Sequence, residues 1–332
     1  MELNIASLSD FVRNAEILFF KGLDSVVSVA RNSGIFRIDN LADHTGNTKE
    51  YSEIDLEEYA DIKGEGDEAS RARVQQGYSK VGTLYRISKD IGITYEMRHY
   101  NKYIDVVSRL TNLGRLAGNR MELDLSHRIA FATSTSYTSK EGVTIDTTVG
   151  DTLALASTAH TVRGSSTTFR NRLANNPLFS KGALEGMEQM IIENSINQFG
   201  EKITIPYDII WTTDDANTVN TVKEFLKSTA SPDALNAGVI NVNQGKYRHV
   251  ILPRVATTAS GAVDSSKAKY WGLCSSINSQ AFLGINEEPH MKPTDGNTEF
   301  SSEDMNMGTS AGYFIVIPGA RFFGISTGDA TA

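Results

Sequence analysis

Two stretches of the chain place apolar side chains three and four positions apart, which is the spacing of an amphipathic helix. The first covers residues 8–30, with Ser9 as its cap. It is either an arm that packs on a neighbouring chain or the first core helix of its own domain. The second covers residues 101–131 and predicts a helix of about thirty residues, roughly 45 Å long at 1.5 Å per residue. Gly114 and Gly118 lie inside it, where each costs about 1 kcal/mol relative to Ala.

Residues 51–59 and 81–88 instead alternate with a period of two, which indicates strands. A Gly-rich, charged segment at 63–70 joins them. This pattern predicts a long β-hairpin that is polar on much of both faces. Because a two-stranded hairpin has no core and is marginal alone, we expect it to lie on another surface, and a neighbouring subunit would serve.

The second half of the chain alternates helical and extended patterns in short units. The predicted elements are a helix at 181–198 stopped by Gly200, a strand at 203–211, a helix at 216–228, a strand at 247–255, a strand-like region at 271–283 and a pair of strands within 300–324. Together with the first half, this order predicts a mixed α+β fold.

Charge and cysteine content narrow the class of protein. A formal net charge of −8 and a pI near 5.4 argue against a dedicated DNA-binding protein, because phosphate contacts need clustered Lys and Arg. Any contact with nucleic acid should be weak and independent of base sequence. The single Cys274 excludes an internal disulfide. The chain has neither a signal-peptide pattern nor an apolar run near the roughly 18 residues of a membrane span, so we expect a soluble protein made in the cytoplasm.

The sign of the charge also reverses along the chain. Residues 43–68 carry ten acidic and two basic side chains, whereas residues 71–128 carry eleven basic and five acidic ones. Because regions of opposite sign attract one another, these two regions are candidates for mutual contact.

Two short motifs suggest enzymatic or phosphate-binding chemistry, but their contexts argue against it. Ser310 lies in a G-x-S-x-G sequence, the pattern of the hydrolase nucleophile elbow. An elbow needs an apolar strand before it and a helix after it, yet 301–307 is polar, 313–317 is strand-like and no His follows His290. The sequence 64–69 fits the phosphate-loop pattern G-x-G-x-x-A, but its acidic side chains would repel phosphate, which favours a hairpin tip.

Three further groups have both a structural and a functional interpretation. Asp214 and Asp215 follow an apolar strand, where a carboxylate pair can hold a metal ion, but they also precede a helix, and we predict a helix cap. Residues 98–103 interleave basic and aromatic side chains as single-strand-binding surfaces do, although such a cluster at a strand–helix junction is more often a packed corner. The histidines, none at metal-ligand spacing, are His44, His99, His127, His160, His249 and His290. We therefore predict no catalytic, cofactor-binding or metal site.

The order of elements resembles that of the HK97-like major capsid proteins of tailed double-stranded DNA bacteriophages. The residues that carry the resemblance are the hairpin at 50–96, the long helix at 103–132, the strand–helix pair at 205–226, the strand at 247–254 and the terminal strands at 312–324. The resemblance implies an HK97-like capsid fold made of an N-terminal arm (1–48), an extended β-hairpin loop (49–97), a peripheral domain with a long spine helix (98–164 and 290–332) and an α/β axial domain (165–289).

The resemblance also implies a function. The chain would be a major capsid protein, not an enzyme, that self-assembles into hexamers and pentamers of an icosahedral shell around phage double-stranded DNA. Its expected partners are other copies of itself, a separate scaffolding protein, a portal and a decoration protein, with packaged DNA contacted weakly and with no membrane and no cofactor. Its expected location is the phage head, after assembly in the host cytoplasm.

The charge reversal and the resemblance together give a hypothesis for contacts between subunits. Acidic residues of one hairpin would meet basic residues of a neighbour; the acidic set is Glu53, Asp55, Glu57 and Glu58, and the basic set is Arg71, Arg73, Arg109 and Arg115. Exposed pairs contribute at most about 1 kcal/mol each. Charge would therefore set register, while apolar area in interfaces of about 2,000 Å² or more holds the shell together.

Two features depart from the family type. Many relatives carry a long N-terminal scaffolding segment, whereas only about forty residues precede the hairpin here, which implies a separate scaffolding protein or a processed form. The type member crosslinks its subunits through a Lys and an Asn. Lys63 lies in the hairpin, but the sequence indicates no Asn partner, and we predict no crosslink.

Three other functions stay open. An encapsulin-like nanocompartment shares the fold but encloses a cargo protein. A hydrolase built on Ser310 would react with a serine-directed probe. A non-shell interaction module, such as another phage structural protein, would remain a monomer or a small ring.

Overall fold

The chain forms a mixed α+β structure of six α-helices and fourteen strands over the residues that the computed structural model describes, which are 8–100, 103–164, 167–229, 240–292 and 305–329. The helices are α1 (Leu8–Asp24), α2 (Val29–Asn32), α3 (Tyr95–His99), α4 (Tyr103–Ala130), α5 (Lys181–Asn194) and α6 (Ala216–Lys227). The strands are β1 (Phe36–Asn40), β2 (Thr48–Leu56), β3 (Val74–Thr83), β4 (Tyr85–Ile93), β5 (Ser136–Thr138), β6 (Thr144–Asp146), β7 (His160–Thr161), β8 (Thr168–Phe169), β9 (Ile209–Thr212), β10 (Arg248–Ile251), β11 (Trp271–Cys274), β12 (Ala281–Met291), β13 (Met305–Val316) and β14 (Phe323–Ser326).

Two four-stranded sheets organise the body of the molecule, in the orders β1-β12-β13-β4 and β10-β9-β11-β14. Within them β1 runs parallel to β12 and β10 parallel to β9, and the other neighbours are antiparallel. Three two-stranded sheets, β2-β3, β5-β6 and β7-β8, complete the fold. In the described ranges, no helix is both long and apolar enough to cross a bilayer.

The long helix α4 provides the main packing surface. It runs unbroken for 28 residues, about 42 Å at 1.5 Å per residue. Its apolar side chains Leu125 and Ile129 are fully buried in one core with residues of both large sheets, among them Trp211 and Tyr313. Asp124 of α4 is also buried and accepts a hydrogen bond from the Tyr313 hydroxyl at 2.7 Å, so a polar contact fixes the helix against β13.

One of the two glycines predicted to weaken this helix, Gly114, has a packing role instead, together with Gly22 of α1. A Cβ built on Gly114 would lie 2.0 Å from the carbonyl oxygen of Phe19 on α1, and a Cβ on Gly22 would lie 2.0 Å from the carbonyl oxygen of Thr111. The backbones of α1 and α4 therefore meet at van der Waals distance, and Phe19 is fully buried beside the contact. Of the two alternatives for α1, the core helix of its own chain is the one observed.

The predicted hairpin is confirmed, but its second strand, β3, covers residues 74–83 and not the predicted 81–88. Strand β3 pairs with β2 only as far as Thr83, and the amide N–H of Leu84 donates to the carbonyl of Asn47 to close the pairing. From Tyr85 onward the chain belongs to the large sheet, where β4 pairs with β13 and the Tyr85 ring lies 4.9 Å from that of Tyr313. The period-two pattern of a strand is the same whether its partner is β2 or β13, so the sequence pattern could not show that the partner changes at residue 84.

Three predicted elements in the second half were too long. The strand predicted at 247–255 is β10, which ends at Ile251, and a short 3-10 turn follows at Pro253–Val255. Helix α5 ends at Asn194 rather than at 198, because a turn follows in which the Asn197 side-chain oxygen accepts the amides of Phe199 and Glu201. Gly200 sits in that turn with a φ of +83°. The predicted strand at 203–211 is only β9, since Pro206 has no amide to donate to a ladder. The predicted helix at 216–228 is confirmed as α6.

Replacing Gly114 by Ala should destabilise the fold by about 1–3 kcal/mol, because the new methyl group meets backbone that cannot rotate away. The measurement is the free energy of unfolding in urea. Gly182→Ala is the matched control, since Gly182 is also helical and a Cβ there meets nothing within 4 Å. Equal effects of the two substitutions would contradict the close approach of α1 and α4.

Candidate assembly surface

The β2-β3 hairpin extends from the body and ends in a charged distal segment, residues 57–73. Every residue from 58 to 73 is exposed. The segment carries six acidic side chains, Glu57, Glu58, Asp61, Glu65, Asp67 and Glu68, against three basic ones, Lys63, Arg71 and Arg73. The candidate phosphate loop at 64–69 is the outermost turn, where the Asp67 amide donates to the Gly64 carbonyl, so the prediction of a hairpin tip is confirmed.

The two faces of the hairpin differ. Because successive residues of a strand point to opposite sides, Ile54 and Leu56 project outward while Glu53 and Asp55 project inward. Leu56 lies opposite Val74 in the register, and all three apolar side chains are exposed. The outer face is therefore an apolar stripe that leads into the charged distal segment, the arrangement expected of a surface that another molecule covers.

The inner face is held by the same chain, along the turn at 196–202. The Gln198 amide donates to Asp55 at 3.1 Å, and the Glu58 amide donates to Glu201 at 2.8 Å. The Tyr59 hydroxyl donates to the Lys202 carbonyl at 3.1 Å. The support that the hairpin needs thus comes in part from its own subunit.

A buried charge cluster fastens the hairpin at its centre. Arg321, in the connection between β13 and β14, places Nη1 2.9 Å from Asp55 Oδ2 and Nη2 3.8 Å from Glu53 Oε2. The side chains of Arg321 and Glu53 are only 5% and 6% exposed. Burial raises the pKa of Glu53 to about 7, with the Asp55 charge adding to the rise and the Arg321 charge opposing it. The guanidinium of Arg321 thus hydrogen-bonds Asp55 and lies farther from Glu53.

An aromatic contact fixes the root of the hairpin. The Tyr51 ring stacks on Phe282 with centroids 4.4 Å apart, and Phe314 is 6.0 Å away. A Cβ on Gly82 would lie 2.2 Å from the Phe314 ring, so glycine is required for the opposite strand to reach the same contact. The hairpin is therefore attached by apolar contacts at its root and by charge at its centre.

A basic groove of about 820 Å³ lies beside this root, between β3–β4, α4 and the β5–β6 hairpin. Its charged lining residues are the cations Lys80, Arg86, Lys89, Arg120, Arg128 and Lys140 and the anions Glu141 and Asp146. Three exposed apolar side chains lie among these charged residues, Val81, Leu116 and Val143. Strand β4, on one side of the groove, is an edge strand, because its one sheet partner is β13.

Three of the six groove cations form ion pairs within the chain, and Arg128 donates to the backbone carbonyl of Asp146. Lys80 pairs with Asp146 at 2.9 Å, Arg86 with Glu287 at 2.7 Å and Arg120 with both Asp124 and Glu141. Across the described part of the chain, Lys89 and Lys140 have no ion-pair partner. The groove therefore keeps a net positive charge at its surface.

The eight residues of the inter-subunit hypothesis fall in different places. Glu53 and Asp55 face Arg321 inside the chain, and Glu57 pairs with Arg73 at 2.5 Å across the hairpin. Arg109 donates to the Gly92 carbonyl and Arg115 to the Ser25 hydroxyl, each at 2.8 Å. Glu58 and Arg71 lie exposed in the distal segment. These contacts are within one subunit, so the pairing between subunits stays a prediction.

Sequence reasoning missed Arg321 and the groove. Arg321 is the single charged residue between Met305 and Ser326, and this isolation is the signal by which it stands out. The groove residues come from β3–β4, α4, the β5–β6 hairpin and β13, which are separate in sequence, so no local pattern marks them.

The motifs considered for chemistry have structural positions. Ser310 is buried in the middle of β13, opposite Ser88 of β4, with strand on both sides. Asp215 accepts the Thr218 amide at 2.9 Å, so the predicted helix cap is confirmed. The cluster at 98–103 lies partly outside the described residues. In the ranges that are described, no three His, Cys, Asp or Glu side chains are placed to hold a metal ion.

Comparison with known proteins relates this architecture to phage shells. No family model matches the chain, and no curated protein sequence does. The capsid structure of the cyanophage P-SCSP1u is similar over 88% of this chain and 85% of that one, with 9% identity and a TM-score of 0.51. A virus-like particle from Pyrococcus furiosus is similar over 95% of this chain and 98% of that one, with 10% identity and a TM-score of 0.49. The capsid of Myoviridae phage XM1 is similar over 90% of this chain and 91% of that one, with 11% identity and a TM-score of 0.47. The likeness to the cyanophage structure establishes the fold, and the predicted HK97-like capsid fold is confirmed.

Replacing Arg321 by Met should destabilise the chain by about 3–5 kcal/mol, because two carboxylates then share a buried site without a cation. Urea unfolding measures the loss, and limited proteolysis should show earlier cleavage in the hairpin. Arg86→Met is the control: its pair with Glu287 is mostly exposed, so the change should be at most about 1 kcal/mol. A loss as small at Arg321 as at Arg86 would contradict the anchoring role.

Proposed function

We propose that the chain is the major capsid protein of a tailed phage, a structural protein that self-assembles into an icosahedral shell around double-stranded DNA. The observation that carries the proposal is the capsid fold over most of the chain, combined with a hairpin that exposes an apolar stripe and a charged distal segment. A surface of that kind suits a chain that completes its packing only among other copies of itself.

The contact between subunits that the surfaces favour joins the distal segment of one chain to the basic groove of the next. The segment is acidic and the groove is basic, so their charges are complementary. Apolar side chains lie beside the charges on both surfaces, Ile54 and Leu56 on the hairpin and Val81 and Leu116 in the groove. Attraction would set the register, while apolar burial holds the contact.

Part of the original pairing hypothesis is compatible with this contact. Glu58 and Arg71, exposed in the distal segment, remain available to a neighbour, and Arg109 and Arg115 offer exposed positive charge on α4. Glu53 and Asp55 are held by Arg321 in their own chain and are left out of the proposed pairing.

The proposal also assigns each part of the chain to a region of the capsid subunit. Residues 98–164 and 290–332 form the peripheral domain, 165–289 the axial domain around the five-fold and six-fold axes, and 49–97 the extended loop. Residues 1–48 are the N-terminal arm, whose helix α1 packs on α4 of its own chain and not on a neighbour. The partners are other copies of the chain, with a scaffolding protein, a portal and a decoration protein, and the location is the phage head after assembly in the host cytoplasm.

Negative-stain electron microscopy of the purified chain, alone and with a scaffolding protein, is the first test. Closed shells, or rings of five and six subunits, are expected. Nuclease-protected DNA in particles from infected cells supports a phage head, whereas packaged protein favours an encapsulin-like compartment. A chain that remains monomeric at high concentration with the scaffold would overturn the proposal.

Reversing the charge of the distal segment should impair assembly. The triple variant Glu58→Lys, Asp61→Lys, Glu65→Lys is expected to raise the protein concentration needed for assembly by about tenfold, since it replaces exposed attractions with repulsions. Light scattering recorded at increasing protein concentrations measures this threshold for assembly. Adding Lys89→Glu and Lys140→Glu in the groove of the same chain should restore assembly.

The control carries the same change in net charge on exposed acids outside the hairpin, Glu16→Lys, Glu185→Lys and Glu224→Lys. It should assemble nearly as the wild type does. Equal loss in both triple variants would attribute the effect to net charge and contradict the contact.

A further inference from the structure

Glu53 occupies an unusual position in the hairpin, at a break in the ladder between β2 and β3. Ser52 pairs with Ser79 and Ile54 with Gln76, so the register shifts at Glu53 and leaves it without a strand partner. The opening faces Gly77 and Tyr78, and the backbone amide of Tyr78 favours the ionised carboxylate and so opposes the rise in the pKa of Glu53. Because a bulge bends a strand and redirects its side chain, the carboxyl group enters the interior at this point.

Two glycines enclose that carboxyl group. A Cβ on Gly77 would lie 2.9 Å from Glu53 Oε2, and a Cβ on Gly319 would lie 2.1 Å from Glu53 Oε1. Gly77 is in the hairpin and Gly319 is in the body, in the connection that also carries Arg321. The carboxyl group therefore lies in the joint between the hairpin and the body, where any larger residue would displace it.

Two amide side chains at the joint have atoms without hydrogen-bond partners among the described residues. One such atom is Oε1 of Gln280. A Cβ on Gly319 would lie 2.0 Å from it, and the same Cβ would also meet Glu53 Oε1, so the two oxygens are neighbours. Both side-chain atoms of Gln198 are also unpaired, and Nε2 lies 2.4 Å from the hypothetical Cβ on Gly77, next to Glu53 Oε2. A protonated carboxyl can donate to Gln280, and an ionised one can accept from Gln198.

The charges that face Glu53 come from three parts of the chain. Arg321 lies at 3.8 Å but donates its hydrogen bond to Asp55 at 2.9 Å, so its charge is already engaged. Asp55 on the same strand and Asp151 in the body both oppose ionisation of Glu53. Arg163 also approaches the joint, where it donates to the Gly77 carbonyl at 2.7 Å, and Asp151 is hydrogen-bonded to His160 at 2.7 Å. Of the three carboxylates, Glu53 therefore has the weakest pairing with a cation.

We propose that Glu53 is a proton-controlled latch between the hairpin and the body: with its proton the hairpin is held against the chain, and without it the joint loosens. The inference deepens the proposed function, since it would regulate how freely the hairpin reaches a neighbouring subunit, and it rests on that function only for this consequence. The latch itself is a property of one chain.

The direction of the pH dependence follows from the position of the group. An acid whose pKa is higher in the folded chain than in the unfolded one stabilises the fold at low pH, and this contribution is lost as the pH rises through the folded value. For Glu53 the window runs from the ordinary value of 4.5 to about 7. The hairpin should therefore be held below this window and loosened above it.

The first experiment needs no substitution in the protein that is titrated. The full chain is labelled with carbon-13 at the glutamate side-chain carboxyl carbons, and NMR follows the chemical shift of each carboxyl as the pH is changed. The signal that is missing from a Glu53→Gln sample is that of Glu53. A midpoint well above 4.5 supports the latch. A midpoint near 4.5 overturns it, whether or not the chain forms shells.

Hydrogen exchange then tests the mechanical consequence on unassembled chain. After correction for the intrinsic pH dependence of exchange, amides of residues 50–56 and 74–80 should exchange roughly tenfold faster at pH 8 than at pH 5 in the wild type. Glu53→Gln, which keeps the uncharged shape, should abolish the difference. Glu50→Gln removes the same charge from an exposed position of the same strand and should leave the difference intact. Identical pH profiles in the wild type and Glu53→Gln would contradict the latch, and a Glu53→Gln chain that fails to fold leaves the titration to decide.

Discussion

A two-stranded hairpin has no interior, so the position of β2-β3 depends on how its inner face is fastened to the body. Here the fastening is an ion cluster in which Arg321 faces Asp55 and Glu53 at a nearly solvent-free joint. A buried pair contributes little net stability, because desolvation offsets much of the attraction, but breaking it is costly. The cluster therefore specifies where the hairpin lies more than it stabilises the fold.

The body of the molecule is held differently, by close packing around α4. The helix buries apolar side chains against both large sheets, and α1 crosses it where Gly22 and Gly114 let the two backbones touch. Such a body is rigid, since packing at this distance tolerates little rearrangement. A rigid body with a hairpin attached at its aromatic root and its charged centre suits the proposed role of a shell subunit, which keeps its shape while its contacts with neighbours form.

On the proposed assembly surface, apolar side chains supply the area that is buried, and charged side chains determine how the two subunits are aligned. The stripe of Ile54, Leu56 and Val74 offers area whose burial is favourable in any orientation, whereas the acidic distal segment and the basic groove favour one register. An overall acidic chain can still present a basic groove, because the sign reversal along the sequence collects its cations in β3, β4 and α4.

Local patterns in the sequence determined the α+β class, the long helix, the hairpin with its exposed tip and the Asp215 cap, because periodicity, turn residues and caps act over a few neighbouring positions. The order of these elements also pointed to the capsid fold. The tertiary structure alone decided that β4 leaves the hairpin for the large sheet, that Gly114 serves a helix contact and not a break, and that Glu53 and Asp55 turn inward to Arg321. Each of these depends on a partner that is far away in sequence, Tyr313, Phe19 and Arg321 respectively, and no local pattern records which distant residue a side chain will meet.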